Sequence, residues 1–295
     1  MKGYFQHSVL VAKFLQLAAV TIVAGLMFTM LSLLVTNGDY SSVNALKIAQ
    51  LLQSIGIFVV TPVLLAYLWS TRPAEWLQID RRPSVATILL VVLLMWVAIP
   101  GINMIGAWNQ EVQLPESWTG VEQYFRAMEA NAEALTDRIL SDTTLSGVLF
   151  TLVVVALVPA VGEELFFRGV IQRLFNSKWN SHIAVWLTAI VFSTIHFQFF
   201  GFIPRMLIGA LLGYLLVWGG SLWYPIVAHF VNNATIVFVF LAEQKGWISI
   251  DMEAVGTQKT ILAGYLSLVL VVVFIVWVRT KLRTNRSGSS FPDNH

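Results

Sequence analysis

The chain has 295 residues, 57% apolar and 12% charged, with a mean hydropathy of +0.74. Soluble domains carry about 25% charged residues, so the composition excludes an ordinary soluble enzyme and describes a polytopic membrane protein. A formal net charge of +2 with no basic aromatic cluster argues against a nucleic-acid partner, and the lack of cysteine removes disulfides, thiol nucleophiles and thiolate metal ligands.

The first apolar run, residues 14–35, is too long for a signal-peptide core and shows no small-residue cleavage site, so it reads as a spanning helix. After the turn Asn37-Gly38-Asp39, residues 45–69 form a second span, kinked at Pro62. A loop with Arg72, Arg81 and Arg82 leads to a third span at 85–107. Residues 108–144 make the one long polar segment, with Glu111, Glu116, Glu122, Glu129, Glu133, Asp137 and Asp142 against Arg126 and Arg138. Within it, Tyr124, Phe125, Met128, Ala132, Leu135 and Ile139 recur at helical spacing, which predicts an amphipathic helix outside the hydrocarbon. It serves as readily as an acidic connector as it would a gate.

A fourth helix over 145–175 is followed by spans at 183–200, 203–218, 222–241 and 261–278, about eight in all. The fold class is therefore an all-α transmembrane bundle. Gly209 and Gly213 form a small-xxx-small pattern, read as close packing inside the protein rather than dimerisation. The tail 279–295 is basic, then rich in Ser and Gly, and is expected to be disordered. Three regions follow: a three-span part with its acidic connector (1–144), a densely packed helical part (145–242), and a last span with its tail (243–295). With the N-terminus in the cytoplasm, eight spans return the C-terminus to that side. Two thirds of the Lys and Arg then lie inside. The expected location is the cell membrane, with the acidic loop outside.

Glu163, Glu164 and Arg168 follow directly on an apolar run. Charge among spanning helices is costly and marks a candidate site by default. Neighbouring helical residues differ by about 100°, so the two carboxylates face differently. Glu164 and Arg168, four apart, can pair along one face, leaving Glu163 as the freer carboxylate. The plain alternative is a structural ion-pair cluster. His196 follows Phe192 by one turn, although such a histidine can simply bond a backbone carbonyl. His229 and Asn233 are also four apart, and Asn232 points elsewhere, towards packing or a helix–helix bond.

Together these residues can perform hydrolysis. Glu163 with His196 can position and deprotonate a water, while His229 and Asn233 donate to the oxyanion. Alternatively Glu163, His196 and His229 could ligate Zn2+, although no His-Glu-x-x-His signature is present. A Ser193 nucleophile lacks a nucleophile-elbow context.

Glu163-Glu164-x-x-x-Arg168, Phe192-x-x-x-His196 and His229-x-x-x-Asn233, in this order on separate apolar helices, resemble the CAAX protease and bacteriocin-processing family, which includes type II CAAX prenyl endopeptidases and bacterial self-immunity proteins. The likeness covers about residues 146–242. It implies an intramembrane endopeptidase acting on a membrane-embedded or lipid-anchored peptide or protein in the bilayer. It also implies Glu163, His196, His229 and Asn233 as the catalytic group, supported by Glu164 and Arg168. Both metallo- and glutamate-dependent mechanisms are attributed to the family. A non-catalytic immunity or scaffold protein that sequesters a peptide in the same cavity is the alternative, and a proton-relay transporter is a third class. One tension is geometric: His229 lies roughly 10 Å from the start of its span and His196 about twice as deep. The helices must therefore be offset, tilted or broken for the groups to meet.

Overall fold

A computed structural model describes residues 2–249, 251–252 and 254–288, with side chains to residue 284. Among them are seven helices long and apolar enough to cross a membrane, so this is an integral membrane protein of helical architecture. We label the main helices α1 (Leu10–Thr36), α2 (Val43–Trp69), α3 (Val85–Gln110), α4 (Thr119–Leu140), α5 (Leu145–Asn176), α6 (Ser181–Thr194), α7 (Phe202–Gly219), α8 (Trp223–Gln244) and α9 (Ile261–Gly288).

Two of the expected elements differ. The span expected at 183–200 is the short helix α6, which ends at Thr194. At 1.5 Å per residue it is about 21 Å long, less than the ~30 Å hydrocarbon layer. The chain then turns at Phe197, whose φ of 54° is the left-handed conformation a helix commonly uses to end. The tail is also not irregular from residue 279, because α9 runs on to Gly288. Helix propagation from the apolar span carries through Arg279, Lys281 and Arg283. Residues 289–295 of the expected disordered tail lie outside the described residues.

Proline shapes the long helices. Ring nitrogens of Pro62 and Pro159 carry no hydrogen, so the preceding turns open into wider π-helical stretches at Ile55–Val60 and Leu152–Leu157. A third such stretch, Leu165–Gln172, follows the carboxylate pair. These widenings let α2 and α5 depart from straight cylinders. Gly162 meets α2 so closely that an added Cβ would stand 2.9 Å from the Phe58 Cβ. Lys47, fully buried in α2, donates to Gly147 O at 3.3 Å and ties α2 to the start of α5.

One core gathers Leu65 and Trp69 of α2, Phe166 and Phe167 of α5, Phe192 of α6 and Ile226 of α8. A second joins Val91, Leu94 and Met95 of α3 to Leu212 and Leu215 of α7 and Val278 of α9. The glycine pair of α7 packs internally, as expected. A Cβ at Gly213 would stand 2.7 Å from Gln172 Oε1 and 3.0 Å from Val185, and one at Gly209 would lie 3.3 Å from the Phe192 ring. That close approach exposes two α7 carbonyls to α5: Arg168 donates to Gly209 O at 2.8 Å and Gln172 to Gly213 O at 3.2 Å.

Helix α4 is amphipathic, as its spacing predicts, and is not among the apolar spans. Its Phe125 stacks on Phe199 with ring centroids 5.5 Å apart, and the Arg126 guanidinium lies 4.0 Å from the Phe200 ring centroid. Glu129 accepts from the Phe200 N–H at 3.2 Å. Asn109, near the end of α3, holds the same segment by accepting from Ile203 N–H at 2.8 Å. The turn that carries His196 is thus gripped from two sides.

Candidate functional site

The centre of the site is Glu164. Its Oε1 accepts from Arg168 Nη1 at 2.7 Å and lies 2.9 Å from His229 Nδ1, with both carboxylate and guanidinium fully buried. An ionised carboxylate can only accept, so Nδ1 of His229 is the donor and the neutral ring leaves Nε2 with its lone pair exposed. Arg168 also lies over the Phe192 ring at 4.8 Å. The pairing of Glu164 with Arg168 expected from their spacing is therefore present.

Glu163, on the next helical position, makes no hydrogen bond among the described residues. Its Oε2 lies 3.9 Å from His229 Nε2, and its side chain is 15% exposed. That separation is too long for a direct bond and suits a bridging water. Adjacent carboxylates thus have opposite circumstances, one locked in an ion pair and one open.

Asn233 is brought to this group by α8, but it is not a free oxyanion donor. Its Nδ2 donates to Val155 O at 3.0 Å. The cause is local: the N–H that would take this carbonyl belongs to position 159, which is proline. One of the two amide hydrogens is thereby committed and one remains. Asn232 does not point elsewhere, since its Nδ2 donates to Asn233 Oδ1 at 3.1 Å and orients the neighbouring side chain.

His196 lies just beyond the end of α6 rather than within a span, because α6 stops two residues earlier. Its Nδ1 bonds Phe192 O at 2.7 Å. A carbonyl only accepts, so Nδ1 carries the hydrogen and Nε2 is the free acceptor of the neutral ring. The Phe192 ring neighbours both imidazoles, with centroids 4.9 Å from His196 and 6.2 Å from His229. Four of the six expected residues, Glu163, Glu164, Arg168 and His229, come together between α5 and α8; Asn233 is tied to the α5 backbone beside them, and His196 contacts Phe192.

The possible zinc set does not fit this arrangement. Among the described residues no three His, Asp or Glu side chains converge as metal ligands. Glu163 and His229 approach to 3.9 Å, while the His196 ring is in contact with Phe192.

Arg205, Glu129 and Asn109 neighbour the site without being among its expected residues. Arg205 enters from the first turn of α7 and interacts electrostatically with Glu163 and Glu129. Its signal was available: it is a charge in an otherwise apolar helix.

The fold and the site together define a polytopic membrane protein with a buried carboxylate–imidazole centre. Residues 145–235, the stretch that carries all six expected site residues, match the Rce1-like model of type II CAAX prenyl endopeptidases. Among curated proteins, YpbD of Bacillus subtilis is 31% identical over 34% of this chain and 49% of its own length. A 24.3 kDa Escherichia coli protein is 23% identical over 38% of this chain and 54% of its own. The chain thus spans about half the length of these two relatives. YdiL of Bacillus subtilis, named as a candidate membrane peptidase, is 24% identical over 75% of this chain and 82% of its own. No solved structure matches the chain.

Proposed function

We propose that the protein is an intramembrane endopeptidase that hydrolyses a peptide bond in a membrane-embedded or lipid-anchored substrate, at the cell membrane. The observation that carries this reading is the unpaired Glu163 carboxylate, 3.9 Å from the imidazole that Glu164 and Arg168 hold in place. A water in that gap donates one hydrogen to Glu163 and one to His229 Nε2, which turns a lone pair towards a bound carbonyl. As the water oxygen bonds to the carbonyl carbon, its proton passes to Glu163 and the carbonyl electron pair moves to the oxygen. The remaining Asn233 N–H donates to that oxyanion. Collapse breaks the C–N bond, and Glu163 returns the proton to the leaving amine. His196, with Nε2 as the free acceptor, is the second proton acceptor of the cavity. Arg168, through Glu164, keeps His229 in the required tautomer.

The test uses the purified full-length protein in detergent with a membrane-peptide library. Wild type is compared with Glu163→Ala, Glu163→Gln and His229→Ala, each with and without a strong chelator. Cleavage is expected from the wild type and lost from all three variants, while Glu163→Gln still binds peptide. Chelator sensitivity would require a metal route in place of the one above. Cleavage that survives all three substitutions would remove the site, and function unaffected by Glu163→Gln would favour sequestration over hydrolysis.

A further inference from the structure

Arg205 has no role in the reaction as derived, yet its surroundings are unusual. Its Nη2 donates to Gln198 Oε1. Its Nη1 is shut from solvent and has no hydrogen-bond partner. Among the described residues no carboxylate stands at ion-pairing distance from it. Glu129 and Glu163 lie within electrostatic reach, but Glu129 is turned to the Phe200 N–H at 3.2 Å and Glu163 to His229 Nε2 at 3.9 Å. Arg205 is half-buried, and an N–H of a cation that is shut from solvent and unsatisfied is costly unless something completes it.

Its placement says what that something meets. Arg205 is one helical turn before Gly209, whose carbonyl receives Arg168. On its other side lie Gly201, whose Cβ would stand 3.3 Å from Nη2, and Glu129 Oε1, which would be 3.5 Å from that Cβ. Arg205 thus stands beside the segment that α4 covers and within electrostatic reach of Glu163. A planar guanidinium with a free edge is suited to a carboxylate, which it can grip with two parallel bonds.

We infer that Arg205 is a specificity residue of this site: its free edge binds a carboxylate of the substrate peptide, from a free C-terminus or from an acidic side chain near the cleaved bond. The inference rests on the endopeptidase reading for its setting but not for its test. Gln198 holds one arm of the fork so that the other faces the ligand. Glu129 tempers the positive charge when no ligand is bound.

The experiment uses one hydrophobic peptide scaffold in three versions, offered to the full-length protein in nanodiscs. The first has a free C-terminus and no acidic side chain. The second has an amidated C-terminus and one Asp or Glu near the scissile bond. The third is amidated with Asn or Gln at that place. Cleavage is measured for wild type, Arg205→Gln and Arg205→Lys, and binding for Glu163→Gln with and without Arg205→Gln. The wild type should prefer at least one carboxylate version over the neutral one by about 10- to 100-fold, mostly in KM. Arg205→Gln should collapse that ratio towards one, and Arg205→Lys should restore part of it. Which version is preferred identifies the source of the carboxylate. Equal cleavage of all three by wild type, or a fall in kcat on all three alike in Arg205→Gln, would overturn the inference and leave the endopeptidase reading standing. Carboxylate-dependent binding that needs Arg205, without cleavage, would keep the inference and sink that reading. Neither cleavage nor carboxylate-dependent binding would sink both.

Discussion

Two neighbouring glutamates offer a direct test, because the structure gives them opposite duties. Glu164→Gln removes the charge that compensates Arg168, which is 1% exposed. Arg168 would keep its bond to Gly209 O and its contact with the Phe192 ring, but neither supplies a negative charge. Breaking a buried ion pair from one side costs about 3–5 kcal/mol, here increased by weakening the His229 contact at 2.9 Å. Glu163→Gln breaks no ion pair within hydrogen-bond range and should change stability by less than about 1 kcal/mol. Thermal unfolding in detergent should therefore fall on the order of 10 °C for Glu164→Gln and by no more than a few degrees for Glu163→Gln. Peptidase activity should vanish in Glu163→Gln despite its intact fold. Equal destabilisation by the two substitutions would refute the division of labour. A stable, active Glu164→Gln would show that the ion pair does not hold His229.

Asn233→Ala should cost about 1–3 kcal/mol because it strands Val155 O, which Pro159 cannot serve. The same thermal scan checks this, and a change below the noise would mean that water replaces the amide. A pH response is expected at α4, outside the spans. Burial raises the Glu129 carboxyl above its usual range, opposed by the Phe200 N–H, Arg205 and Arg126, and reinforced by Glu133. A group whose pKa is higher when docked favours the docked state most below its free value and loses that contribution as pH rises through the raised one. Amide exchange over residues 119–140, corrected for intrinsic rate, should therefore speed up from the ordinary carboxylate pKa upward, and Glu129→Gln should flatten the response. Exchange that slows with rising pH would reverse the sign of the argument.

The class of fold was legible because hydropathy is a bulk property: runs of about twenty apolar residues admit few structures in a bilayer. The Glu164–Arg168 pair was legible for a similar reason, since four-residue spacing fixes a shared helix face whatever the tertiary packing. Where the helix axis itself was altered, spacing misled. Phe192 and His196 are four apart, yet α6 ends between them, and the hydrogen bond from His196 returns to the Phe192 carbonyl. Apolar composition continues through Phe199 and Phe200, so hydropathy could not mark the stop. Phe197 in a left-handed conformation, just before a segment that α3 and α4 hold at Phe199, Phe200 and Ile203, is invisible to a local rule. Arg205, Glu129 and Asn109 were missed because they meet at an intersection of three helices far apart in the chain.

The breaks that spoiled the sequence pattern also resolve its geometric tension. Straight helices would have kept Glu163, His196 and His229 at different depths. Instead Pro159 opens α5 one turn before Glu163 and frees Val155 O, and Asn233 closes on that carbonyl, which fixes α8 in register with α5. With α8 so placed, His229 falls between the two glutamates, 2.9 Å from one and 3.9 Å from the other. The early end of α6 lets His196 stand on a turn instead of a helix wall, and the two α7 glycines admit Arg168 to a backbone carbonyl. The proline break of α5 is thus repaired by a side chain of the site. The asparagine motif is structural before it is chemical: it couples a proline-broken helix to the helix that carries His229.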